Sequence, residues 1–464
     1  MRSESFTKEP RQLRFFDAVA LTVGSMVGAG IFAILALTVK TAGPAAVISW
    51  VLVVVFSLPM AYTFSDLTGI LSQSGGPYVY LRKRTSHFVS AVVAWSFLLS
   101  ALGASEALLM ALKGMMAQTG IGGASVLTAV VVFALSVIAA RGIHVGANVQ
   151  RALTVATVAL LFVCVGIGIA HARWLPGLPI WPHTSGQASG LSSSLQRHGQ
   201  AALSTLHTVF PHGFAAVLPA AFFAFWTYSG WEAVTVPSGA YASRDELGRG
   251  MLVGSFLVGG LYIMVAIAAV VALPTQVIAG RVNPLAVLAG LWGPVWSTLV
   301  SYGAMLITIG SLMSWLIASA TLLQALFRDG LLPGAKQLRS YAGEYHPAIV
   351  YGVFVLLVVC SWFPIFSAAI AASSLTALFA YAAVFAAVFT DKNANWPGLI
   401  RSRPRRRITA AFAFLVAVAL ILFSGWNNIW PTLLMIAAGG VLFGRGTGFT
   451  RRSNGRRRSK EEVS

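Results

Sequence analysis

The chain is 464 residues long, 57% hydrophobic and only 10% charged, with a mean hydropathy of +0.78. This excludes a soluble globular domain or a disordered chain and points to a polytopic membrane protein. The formal net charge of +19 does not mark a nucleic-acid binder, because its distribution follows a membrane: with a cytoplasmic N-terminus, every basic residue except Lys40, Lys113, Arg173, Arg197 and Arg281 falls in a cytoplasmic segment.

About twelve apolar runs are long enough to span a bilayer as helices. They lie near residues 15–39, 44–70, 87–112, 122–141, 148–171, 213–241, 250–273, 294–327, 346–364, 366–390, 408–425 and 428–444. An even count places both termini in the cytoplasm, and the basic residues of that face then meet anionic lipid. The polar N-terminus and spanning-length first run predict no cleavable signal. Cys164 and Cys360 sit inside predicted spans and suggest neither a disulfide scaffold nor a metal site. No cofactor is expected.

Residues 1–14 form a polar basic leader. Segment 1 carries Gly24-Ser25-Met26-Val27-Gly28-Ala29-Gly30-Ile31-Phe32 at mid-membrane depth. Each glycine costs a helix about 1 kcal/mol against alanine, and backbone freed inside lipid needs protein, ligand or a water-filled cavity. Two readings stand: a break that bares amides and carbonyls for a substrate, or a Gly-xxx-Gly packing face from Gly24 to Gly28. No βαβ unit surrounds these glycines, which excludes a dinucleotide site. Segment 2 ends near Asp66, and a turn-rich stretch, Ser72 to Tyr80, leads to Arg82, Lys83 and Arg84. Asp17 and Asp66 lie near the cytoplasmic surface within reach of Arg11, Arg14, Arg82 and Arg84, as an inner ionic gate or as solvated charges. Segment 3 contains Glu106.

Residues 172–212 change character, with Pro176, Pro179 and Pro182 before a Ser/Gly/Gln-rich patch. They predict a long outside loop, with a short surface helix near Leu203 to Val209, between two halves. Segment 6 then carries Phe225-Trp226-Thr227-Tyr228-Ser229-Gly230-Trp231-Glu232, a second glycine break with an acid beside it. The two breaks are five spans apart, an odd number, so the halves have opposite orientation. Paired broken helices in inverted repeats point to a transporter site at the midplane. Segment 8 holds Gly310, Ser311, Ser314 and Trp315; segment 10 holds Ser373, Ser374 and Tyr381. Segments 11 and 12 carry no buried charge and read as lipid-facing or oligomer-facing additions, which leaves a homodimer open.

Glu106 and Glu232 are the two deep acids. A charge at mid-helix costs about 2.5 to 3.5 kcal/mol on insertion scales, so each needs a partner or a function. Reversible protonation is one role and an interhelical hydrogen bond the other. Trp226 and Trp315 stand beside glycine and serine in mid-helix, where an aromatic face attracts an ammonium group or closes a path; Trp231 reads as packing. Ser311, Ser373 and Ser374 either bond substrate or bond their own helix.

These motifs resemble the amino acid–polyamine–organocation superfamily of transporters. The segment 1 hallmark matches Gly24 to Phe32, the cytoplasmic Gly-Gly-Pro-Tyr hallmark matches Gly75 to Tyr80, and the segment 8 ending matches Asp329 to Pro333. Within it the chain is most similar to the antiporter branch that exchanges arginine/agmatine, lysine/cadaverine and ornithine/putrescine. Trp226, Gly230 and Glu232 match the segment 6 run of that branch, Ser311 and Trp315 the segment 8 run, and Gly239 a branch glycine. The resemblance implies an all-α, LeuT-like fold: a 5+5 inverted repeat with broken helices 1 and 6, plus two C-terminal helices. The repeats are then 15–171 and 213–390, followed by a basic loop at 391–407, the last pair at 408–444 and a tail at 445–464. It also implies that Gly28, Ala29 and Gly30 hold a substrate carboxylate, that Trp226 and nearby backbone hold the amine, that Trp226 and Trp315 gate, and that Glu232 senses protons. Leu102 stands where a polar side chain helps to hold guanidinium, which counts against arginine itself. Segment 5 has Thr157 near the position of a coupling lysine, and Ala242 to Glu246 breaks the pattern after segment 6.

The expectation is a secondary transporter of amino acids or amines in the cell membrane, working by alternating access as an exchanger. A proton-coupled importer and a transport-inactive sensor or accessory subunit are the alternatives; intact breaks and gating tryptophans count against the last. No Walker loop, zinc motif or nucleophile elbow supports an enzyme.

Overall fold

A computed structural model of the chain describes residues 14–28, 30–68, 77–141, 147–172, 209–231, 234, 243–328, 338, 346–363, 365–391, 400 and 402–461, with side chains for all but 77–79, 147–151, 244, 325 and 444–461. Expectations for residues 1–13, Ala29, Gly75 and Gly76, most of the 172–212 loop, Glu232, Gly239 and Asp329 to Pro333 lie outside the described residues.

The described residues are helical, without strand, and every predicted apolar run carries helix. In chain order the helices are α1 (Phe15–Met26), α2 (Gly30–Ala42), α3 (Ala46–Leu67), α4 (Pro77–Arg84), α5 (His87–Gln118), α6 (Ala124–Ala140) and α7 (Ala147–Ala170). There follow α8 (Val217–Tyr228), α9 (Arg244–Ala272), the short α10 (Thr275–Ala279) and α11 (Pro284–Ala289), α12 (Pro294–Arg328) and α13 (Pro347–Cys360). The last three are α14 (Phe366–Thr390), α15 (Arg403–Phe423) and α16 (Trp426–Glu461). Segment 1 is thus two helices, α1 and α2, and α8 is the first half of segment 6. Seven stretches among the described residues are long and apolar enough to cross a membrane, and four shorter apolar helices accompany them.

Packing follows the five-span offset. Shifting each segment by five turns the α1–α9 contact into α8–α3, α5–α14 into α12–α7, α1–α7 into α8–α14, and α5–α13 into α12–α6. All eight contacts are present, as are the pairs that map onto themselves: α2–α8, α3–α9, α5–α12 and α6–α13. α15 lies on α3 and α14, and α16 on α5 and α14, outside this exchange. Their outer faces present Phe412, Leu415, Leu422, Leu434 and Val441, exposed apolar side chains that suit lipid.

Glycines of α9 pack directly on α1. A methyl group built at Gly250 would lie 2.5 Å from Ala18 Cβ, and one at Gly254 2.7 Å from Thr22 Cβ. This small-xxx-small stripe lets the α1 backbone approach closely. Gly28, by contrast, falls in the interruption between α1 and α2.

One expectation about charge is corrected, and the surroundings of the acids are seen. The helix of segment 11 starts earlier than expected and its added first turns carry a buried charge: Arg406, placed in the 391–407 loop by the sequence, is 1% exposed. The helix begins at Arg403, inside the stretch expected to be loop, because Ser402 supplies the cap position and Pro404 fits the first turn. Asp17 folds back on its own helix and accepts from the Arg14 amide at 3.0 Å. Asp66 accepts from the Ile400 amide at 2.6 Å and faces the Arg406 charge, while Arg84 pairs with Asp391 at 3.5 Å. Tyr80 donates to the same Asp391 carboxylate at 3.2 Å. Burial and that carboxylate push the Tyr80 phenol above its usual range, so it stays a donor at neutral pH. A polar cluster thus ties α3, α4, α14 and α15 together.

Candidate substrate site

α1 ends where the backbone turns at Val27 and Gly28, and α2 starts at Gly30. The interruption is braced from α9. Tyr262 is fully buried and donates to the Met26 carbonyl at 2.7 Å, which also accepts from the Gly28 amide at 3.0 Å. α8 ends at Tyr228, with Ser229 extended and Gly230 at φ +128°, a conformation that an L side chain rarely adopts. α9 holds this end too: Tyr228 donates to the Ser255 carbonyl at 2.8 Å, and Trp231 Nε1 to Ser255 Oγ at 3.0 Å. Trp231 is fully buried in an aromatic cluster with Phe64, Phe225 and Tyr381, as the packing reading expects. Tyr262→Phe keeps the edge contact with Trp50 at 5.5 Å and removes only the hydrogen bond. The Met26 carbonyl keeps its bond from the Gly28 amide, so the loss is that of one net hydrogen bond, about 0.5–1.5 kcal/mol, and this variant should unfold at a slightly lower temperature in detergent. An unchanged midpoint would mean that the bond does not hold the break.

The two breaks face each other. A methyl at Gly230 would lie 3.4 Å from the Ser25 carbonyl oxygen. One at Gly30 would lie 2.6 Å from Thr227 Cγ2 and 3.3 Å from the Trp226 ring. One at Gly28 would lie 2.7 Å from Ser311 Oγ on α12. Trp226 Nε1 donates to Ser373 Oγ on α14 at 3.2 Å, and Ser373 donates to the Ser100 carbonyl on α5 at 2.9 Å. Gly28, Gly30, Trp226, Ser311 and Ser373 are therefore brought together. Gly24, Ser25, Gly28, Trp226, Ser229 and Ser311 are half-buried around the breaks, whereas Gly30 and Thr227 are buried.

Trp315 lies four residues after Ser311, half-buried, in an apolar cluster that also receives Leu102 and Trp226. Glu106 is 5% exposed, and neither of its carboxylate oxygens has a hydrogen-bond partner among the described residues. It shares its electrostatic surroundings with Lys113 and Cys360. Ala29 and Glu232 lie outside the described residues. Sequence reasoning missed Ser100, Thr227, Ser255 and Tyr262. A hydroxyl or phenol in an otherwise apolar span was the available signal for the last two.

The chemistry of this arrangement follows from helix ends. α2 presents its N-terminal amides, which lack intrahelical acceptors, and the positive end of its dipole. α1 and α8 present C-terminal carbonyls and negative ends. No metal-ligating cluster occurs among the described residues.

The sequence profile described as Amino acid permease matches residues 13–442. The chain is 24% identical to an arginine/ornithine antiporter of Pseudomonas aeruginosa, over 94% of this chain and 91% of that protein. It is 22% identical to a branched-chain amino acid permease of Bacillus subtilis, over 93% and 92%, and 24% identical to a methylthioribose transporter of the same organism, over 70% and 68%. The profile covers all the helices that build and surround the two breaks, and the chain belongs to the amino acid permease family, within the amino acid–polyamine–organocation superfamily of membrane transporters.

Proposed function

We propose that the chain is a secondary active transporter that exchanges amino acids or related amines across the cell membrane by alternating access, with both termini cytoplasmic. The observation that carries this is the meeting of the α1/α2 and α8 breaks, with amides of one polarity and carbonyls of the other across a half-buried gap. A zwitterion fits that polarity. Gly28, Ala29 and Gly30 take the carboxylate, and Trp226 with the backbone after it takes the ammonium. Ser311 and Ser373 flank the substrate, and Trp226 and Trp315 close its two paths in turn. The repeats 15–171 and 213–390 move against each other, joined through the 172–212 loop. Any coupling rests on different affinities in the outward and inward states. The antiporter among the relatives supports exchange; Leu102 favours a substrate without a guanidinium group.

Glu232 is assigned protonation-linked tuning on its place beside the segment 6 break. Glu232→Gln should flatten the pH dependence of uptake into liposomes while leaving membrane insertion intact. Normal uptake with an unchanged pH profile would remove that role. A proton-coupled importer is the second reading, favoured by Glu106, a buried acid without a hydrogen-bond partner among the described residues. It predicts that acid outside drives uptake into empty liposomes and that Glu106→Gln removes the drive.

A further inference from the structure

One feature outside the transport path has the build of a ligand site. A cavity of about 720 Å³ lies between α3 and α15, at the end of the bundle that the basic residues assign to the cytoplasm. Its floor and walls are Leu58, Pro59 and Tyr62 of α3 and Ile408 and Phe412 of α15. Arg405 and Ser402 stand at its polar end.

The sequence explains the cleft. Pro59 sits inside α3 and has no N–H to give the carbonyl one turn back, so the helix is loosened where the groove opens. On α15, residues 405, 408, 409 and 412 fall on one stripe at helical spacing. The arginines at the start of α15 divide by direction. Arg406 is buried against Asp66 and Asp391, inside the bundle. Arg405 is exposed, and the described residues give it no acidic partner. The Nε atoms of Arg403 and Arg407 are buried without a hydrogen-bond partner among the described residues.

Charge and depth select the occupant. The apolar walls continue into exposed faces of both helices, with Tyr62 40%, Ile408 57% and Phe412 57% exposed. Such faces suit an acyl chain, and Arg405 at the polar end, exposed and without an acidic partner among the described residues, suits a phosphate. Basic pockets between spanning helices on that side take anionic lipid headgroups. We propose that the α3/α15 groove binds an anionic phospholipid of the cytoplasmic leaflet, its phosphate on Arg405 and one acyl chain along Pro59, Tyr62, Ile408 and Phe412. The lipid then braces α15 on α3, beside the Asp66–Arg406 contact.

The test uses the full chain with Phe412→Trp as reporter, reconstituted with brominated phosphatidylglycerol or brominated phosphatidylcholine. The expected result is stronger quenching of that tryptophan by the glycerol lipid, read against the parent chain as background. Arg405→Gln should weaken the preference by about fivefold, the contribution of one basic residue near a charged surface. Arg141→Gln, exposed on the same side and away from the groove, should leave it unchanged. Native mass spectrometry of the chain without the reporter should retain phosphatidylglycerol over phosphatidylcholine, with the same dependence on Arg405. Equal quenching by both lipids, or a preference that survives Arg405→Gln, would overturn the proposal. Displacement of the lipid by millimolar inorganic phosphate would also overturn it, by identifying a free-anion site.

Discussion

Gly30→Ala is expected to abolish substrate binding while leaving the protein inserted and folded. The new methyl would meet Thr227 at 2.6 Å and the Trp226 ring at 3.3 Å. Thr227 is β-branched and buried, and its hydroxyl is committed to the Ala224 carbonyl at 2.8 Å, so it has no rotamer to retreat to. Overpacking of this kind costs about 1–3 kcal/mol, relieved by moving α2 off α8 and spoiling the gap between the breaks. Gly28→Ala should be milder. Its methyl meets the far end of a short side chain, Ser311 Oγ at 2.7 Å, while Ser311 Cβ lies at 3.4 Å, an ordinary contact. Adding Ser311→Ala to Gly28→Ala should therefore restore part of the lost affinity. Substrate binding in detergent, by calorimetry, checks all three variants. Wild-type affinity in Gly30→Ala would place the substrate elsewhere.

Trp226→Ala should weaken every substrate, and Trp226→Phe should separate two causes. An aromatic face over an ammonium gains about 0.5–2 kcal/mol, so its loss raises Kd by about 2- to 30-fold. Phenylalanine keeps a face but cannot donate to Ser373 Oγ. If the Trp226–Ser373–Ser100 chain fixes the ring, Trp226→Phe and Ser373→Ala should have similar effects, and the double variant should be no worse than either. Such non-additivity is the mark of a shared interaction. Additive losses would separate the two residues, with Ser373 acting on substrate directly.

Much of the fold was legible because lipid imposes simple rules. Apolar runs gave the helices. The two breaks could be read because glycine clusters at mid-membrane depth are costly unless used. Their surroundings could not. Ser373 and Ser100 are 273 positions apart, and nothing local says that one hydroxyl serves the other's carbonyl. Tyr262 looks like any aromatic in an apolar helix until Met26 is found under its hydroxyl, 236 positions away. Arg406 was assigned to a loop, although Ser402 and Pro404 already signalled a helix start. Which arginine of that run turns inward depends on Asp66 and Asp391, which only packing brings near.

The central claim is exchange through the paired breaks, and counterflow tests it most directly. Purified protein in liposomes would be loaded with unlabelled amino acids and amines, or left empty, and uptake of labelled amino acids followed at two external pH values. The account predicts uptake that requires the internal load and is lost in Gly30→Ala. Equal uptake into loaded and empty liposomes, or full uptake by Gly30→Ala, would contradict it.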